Sequence, residues 1–183
     1  MAFYSGKEQL LATGRGDLAR ILDDLTVPAI SPVRFPAIAV ADNSANALDE
    51  YREGVWTPTI GGSTGIGGTY GQTYNTKRGT YVKVGQLVWI NGFIDLSAKG
   101  TIGGNVTVRG LPFTAGSEDA PIPMIWFNFT TAIVTLLGNI AKNGTYIDLF
   151  LLTAAAVNVT AVTGADLSNT TTLRFSGCYR AAS

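Results

Sequence analysis

The sequence contains no histidine. Its absence removes the commonest general base, the Ser-His-Asp triad and most zinc and iron sites in one step. Acid–base chemistry would fall to the carboxylates, which cluster as Asp23 with Asp24, as Asp49, Glu50 and Glu53, and as Glu118 with Asp119. A glycosidase needs two carboxyl groups flanking a sugar bond, whereas sequence neighbours on turns read as solvated surface. The single cysteine, Cys178, can form neither an internal disulfide nor a thiolate cage. Lying in a pattern that reads as a final strand, it is expected to be a small buried residue. Gly14-Arg15-Gly16-Asp17-Leu18-Ala19 fits the spacing of a dinucleotide fingerprint, but no strand precedes it and no βαβ unit follows. Gly61 to Gly68 lacks the Gly-Lys-Ser/Thr ending of a phosphate loop and reads as a flexible connection. The sequence thus predicts no catalytic centre, no metal site and no cofactor.

The remaining candidates are contact residues. Tyr70, Tyr74 and Trp126 present aromatic faces beside Asn and Thr, a combination that stacks on sugars. Leu87, Trp89 and Phe93 belong to Gln86–Leu96, whose two alternating side-chain sets are both largely apolar. A strand apolar on both faces is covered on both, and Leu87, Trp89 and Phe93 are the expected contact with other subunits. Leu11, Leu18, Ile21, Leu22 and Leu25 share one stripe at helical spacing. A helix capped by Asp17 and running from Leu18 to Leu25 is too short to hold itself in water, so this stripe is the expected anchor.

These residues must be positioned by two kinds of structure. Pro28, Pro32 and Pro36 make the stretch after the helix an extended arm. From Gly54 onward, segments rich in Val, Ile, Thr, Tyr and Trp alternate with glycine-containing turns, giving about ten strands. Asn143-Gly144 predicts a two-residue hairpin turn between Ala132–Lys142 and Thr145–Thr153. The expectation is an all-β protein: an antiparallel β-sandwich of jelly-roll type spanning 35–183, preceded by a short helix and proline-containing arm at 1–34.

Composition narrows the partners. Only 14% of the residues are charged and the mean hydropathy is +0.22, values that point to a surface of uncharged Ser, Thr, Asn and Gly and, for the larger part, to surface buried against other subunits. The formal net charge is zero, which does not fit a chain that neutralises nucleic-acid phosphates. Met1 to Glu53 holds eight acidic against five basic residues, so the start of the chain is acidic and the rest basic. Met1 is followed by a mixed polar stretch, and apolar stretches such as Ile133 to Leu137 are too short for a bilayer. Synthesis in the cytosol without membrane insertion is expected.

An ordered series of short motifs carries a family resemblance: Phe35-Pro36-Ala37, Leu48-Asp49-Glu50-Tyr51-Arg52-Glu53-Gly54-Val55-Trp56-Thr57-Pro58-Thr59, Gly79-Thr80-Tyr81-Val82-Lys83-Val84-Gly85, Ser97-Ala98-Lys99-Gly100 and Gly110-Leu111-Pro112-Phe113. Thr163 to Thr170, Leu173-Arg174-Phe175 and Tyr179-Arg180 continue it. In these the chain resembles the C-terminal β-sandwich knob of tailed-bacteriophage tail fibres, tailspikes and related virion surface proteins. The resemblance implies a homotrimeric knob on the virion surface, concerned with host recognition and without a shared catalytic motif. No heptad, collagen-like or β-helical shaft precedes the knob here. The expectation is therefore a trimeric decoration protein that docks on the major capsid protein, or another virion protein, through its arm and also touches host surface polysaccharide. The alternative is the receptor-binding tip of a tail fibre or tailspike.

Overall fold

Period-two alternation decides the architecture. In Leu87–Ala98 the residues Val88, Ile90, Ile94 and Leu96 are fully buried while Leu87, Trp89, Asn91 and Ser97 are exposed, as a strand with one face on a core requires. The computed structural model describes residues 50–63 and 70–182. The predicted helix with Leu11, Leu18, Ile21, Leu22 and Leu25 and the proline-containing arm lie outside the described residues.

The described residues form ten strands: β1 (Tyr51–Trp56), β2 (Thr59–Gly62), β3 (Thr73–Val84), β4 (Leu87–Ala98), β5 (Val106–Arg109), β6 (Ala120–Phe129), β7 (Thr135–Ile140), β8 (Tyr146–Leu152), β9 (Thr160–Ala161) and β10 (Leu167–Arg180). All pairings are antiparallel, in the order β1-β3-β4-β10-β6-β7-β8-β5-β2, with β9 beside β8. The all-β antiparallel architecture is as expected. One sheet curls into two leaves that share β6, whose residues 124–129 pair with β10 and whose residues 120–123 pair with β7. Pro121 and Pro123 fall in the half that has β7 as its only strand partner, where a missing N–H costs least. On the opposite side, Thr57 and Pro58 carry the chain from β1 in one leaf to β2 in the other. The core lies between the leaves, with Ile90, Ile94 and Leu173 from one and Val108, Ile147 and Leu149 from the other. Each such side chain stabilises the fold by ~1.5–3 kcal/mol relative to its exposed state.

Four local expectations are corrected. The acidic segment ending at Glu53 is not a turn: strand β1 already begins at Tyr51, paired with Val84. Gly61 and Gly62 belong to β2 rather than a loop, pairing with Thr107 and Val106, and only glycine fits there because Arg109 and Gly103 lie where a Cβ would be. The hairpin between β7 and β8 forms, but through the longer connection 141–145, in which Asn143 adopts φ 58° and Gly144 donates to the Ala141 carbonyl at 2.8 Å. Cys178 is exposed, because it pairs with Trp89 on the outward face while its neighbour Tyr179 takes the buried position.

Candidate functional site

Several of the motifs that carry the resemblance meet at one end of the sandwich, and what they build there is packing. Trp56 fills the space above Gly79, where a Cβ would lie 2.3 Å from its Nε1, and Gly54 is similarly covered by the Tyr81 ring. Tyr81 meets Phe113 edge-on, with centroids 5.3 Å apart. Beside them Glu50 is buried and engaged by both Lys83 and Arg52. The Lys83 ammonium also lies 5.5 Å from the Phe113 ring centroid. Tyr179 closes the group: its hydroxyl donates to the Phe113 carbonyl at 2.9 Å and accepts from the Phe113 N–H at 3.2 Å. Burial pushes this phenol up to about 12, against the opposing pull of the Phe113 backbone. Gly110 sits at φ 92°, the conformation that lets Leu111-Pro112-Phe113 turn onto β10.

A second cluster occupies the other end. Lys99 donates to the carbonyls of Gly164 and Leu167 at 3.1 and 2.9 Å, tying the end of β4 to the start of β10. Asp166 accepts from the N–H and hydroxyl of Thr163, both at 2.8 Å, and from Thr131. Partial burial raises its pKa, but these hydrogen bonds and the Lys99 charge outweigh burial and hold the carboxyl below its usual range. Of the candidate carboxylates, Glu53 accepts from Tyr51 at 2.7 Å and Asp119 from the Lys142 N–H at 2.8 Å. Each is thereby engaged in local structure.

The sugar-contact candidates are not gathered into one site. The Tyr74 hydroxyl accepts from the Ile60 N–H at 3.0 Å, and burial raises its pKa against its hydrogen bonds to Ile60 and Gln72. Tyr70 reaches the Gly62 carbonyl at 3.3 Å, so both tyrosines brace β2. Trp126 lies on β6, separated from β3 by β4 and β10, and is half-buried against the core.

Leu87, Trp89 and Phe93 do share a face. It is the outward side of β1-β3-β4-β10-β6, and cross-strand register adds Val55, Ile125 and Phe127 to it. Val55 is 82% exposed, Ile125 59%, Leu87 55%, Phe127 49% and Trp89 41%, an apolar surface broader than β4 alone predicted. Phe93 differs from the other two predicted contacts. The guanidinium groups of Arg78 and Arg174 lie over its ring at 5.3 and 5.1 Å, and it is half-buried beneath them. Ile125 and Phe127 are alternate residues of β6 and so share its outward face. Their place beside Arg174 depends on β10 inserting between β4 and β6, which no local pattern signals.

No known protein family and no curated protein matches this sequence. Among solved structures, the crystal structure of Dettilon tailspike protein is similar, with a TM-score of 0.59 and 16% identity. The match covers 71% of this chain but 24% of that one, so the chain spans about a quarter of that tailspike's length. At this identity the likeness shows a shared β fold. No helix among the described residues is long and apolar enough to cross a membrane.

Proposed function

We propose that this chain is a structural protein of a tailed-bacteriophage virion. It is a homotrimeric β-sandwich ornament on the outer capsid surface, attached to the major capsid protein through residues 1–34. The observation that carries the reading is the outward face of β1-β3-β4-β10-β6. Leu87 and Trp89 stand exposed there on a strand whose other side is fully buried, and covering them in a trimer removes apolar surface from water. Phe93 lies at the margin of that contact, since two stacked guanidinium groups are costly to desolvate without counter-charges. The fold likeness to a tailspike supports the virion setting and also favours a second reading, the receptor-binding tip of a tail fibre or tailspike.

Imaging of intact virions separates the two readings. Density over the shell at local three-fold positions supports decoration, and density confined to the tail places the chain at a receptor-binding tip instead. A chain lacking residues 1–25 is expected to remain a soluble trimer that no longer joins the particle. Undiminished incorporation of the truncated chain contradicts the anchoring role.

A further inference from the structure

Two strands leave the outward face at the same level. The last residue of β1, Trp56, pairs with Gly79, after which the chain passes to the other leaf. Across the face, β6 stays with β10 only as far as the Met124–Phe175 pair. Between these departures the row Thr80–Asn91–Ser176 floors a furrow running across the strands. Three adjoining depressions of about 340, 270 and 330 Å3 share Asn91. Register places Arg78, Phe93, Arg174 and Ile125 in the next row, as one wall.

The wall is positively charged and forms no ion pair among the described residues. Stacking on Phe93 at 5.3 and 5.1 Å, with Phe127 5.9 Å from Arg174, fixes both guanidinium groups. Neither guanidinium has a carboxylate or a hydrogen-bond acceptor among the described residues. The acidic side chains of this face are engaged elsewhere. Glu53 accepts from Tyr51, and Asp95 accepts from Asn75 at 3.2 Å and Thr172 at 2.9 Å.

We propose that this furrow binds an acidic polysaccharide, with Arg78 and Arg174 receiving sugar carboxylates and Thr80, Asn91 and Ser176 meeting sugar hydroxyls. Two pre-stacked guanidinium forks without an ion-pair partner among the described residues match carboxylates, which they can hold in paired hydrogen bonds. The floor offers small amide and hydroxyl groups that both donate and accept, repeated at the strand spacing of ~4.8 Å. An extended peptide has no place to add, because β3, β4 and β10 are interior strands whose backbone groups are spent on neighbours. The assignment rests on the virion reading only for where such a polymer is encountered. A trimer would carry three furrows and gain avidity from them.

The test measures retention of the full-length protein on immobilised polygalacturonate, hyaluronate and polysialate, with dextran as neutral control and poly-L-glutamate as acidic peptide control. Retention by at least one acidic polysaccharide, weakened by salt and absent on dextran, is expected. R78Q/R174Q should lower it ~tenfold or more while R78K/R174K retains part of it. Unchanged circular dichroism and sedimentation of both variants would tie that loss to the furrow. The proposal is overturned if no acidic polysaccharide is retained, if R78Q/R174Q binds as well as the parent, or if dextran or poly-L-glutamate is held equally well. Sedimentation of the same samples reports the trimer separately, so failure of one claim is distinguishable from failure of the other.

Discussion

At the scale of single residues, the Tyr179 hydroxyl is the clearest structural device, since it satisfies both backbone groups of Phe113 from 66 positions away. Tyr179→Phe leaves a buried N–H and C=O unpaired and should cost ~1–3 kcal/mol near neutral pH, measured by denaturant unfolding. The pH dependence has a definite sign. Because the folded pKa is raised to about 12 from an ordinary value of 10.0, the neutral phenol's contribution is complete below pH 10 and is lost as pH rises through 12. The gap between parent and Tyr179→Phe should therefore narrow over that range, and a constant gap would contradict the assignment. Lys83→Met leaves Glu50 buried with Arg52 as its remaining ion-pair partner and should cost ~3 kcal/mol by the same measurement. A loss below ~0.5 kcal/mol would show that the pair behaves like an exposed one. Reading single residues from sequence worked where period-two alternation was applied and failed where it was not. Leu173, Phe175 and Tyr179 fall on one side of β10, which puts Cys178 on the other, yet composition alone had suggested burial.

At the scale of elements, the strands were legible because β-branched and aromatic runs end at glycine turns, as in Gly85 between β3 and β4 at φ 55°. Their lengths were less so. Lys77 and Arg78 interrupt the apolar pattern, yet β3 runs unbroken from Thr73 to Val84 with register shifts near Tyr74. The pairing of Gly79 with Gly92 was also hidden, although it decides how the aromatic residues pack. Trp56 and Phe175 occupy the space left by these two glycines and approach within 6.0 Å, edge to face. A Cβ on Gly92 would fall 2.1 Å from the Phe175 ring, so Gly92→Ala must displace that ring and should cost ~1–3 kcal/mol in denaturant unfolding. Unchanged stability would mean that Phe175 has room to move and that the Gly–aromatic packing is not a constraint.

At the scale of the whole molecule, the packing cluster around Phe113 and the candidate interface are separate. Tyr81, Lys83 and Tyr179 gather around Phe113 on the connection from β5 to β6, and Glu50 pairs with Lys83, so these motif residues are used in packing. The surface that would distinguish this protein lies on the outward side of the five-stranded leaf, where exposed Leu87 and Trp89 adjoin the Arg78–Phe93–Arg174 wall. The apolar half of that surface was visible in β4, but the charged half required β3, β4 and β10 to be brought side by side. Sedimentation equilibrium of the full-length chain, compared with a Leu87→Asp/Trp89→Asp variant of equal β content, tests the central claim most directly. The account predicts three times the 19.2 kDa chain mass for the parent and a single chain mass for the variant; a monomeric parent, or a variant that remains trimeric, would contradict it.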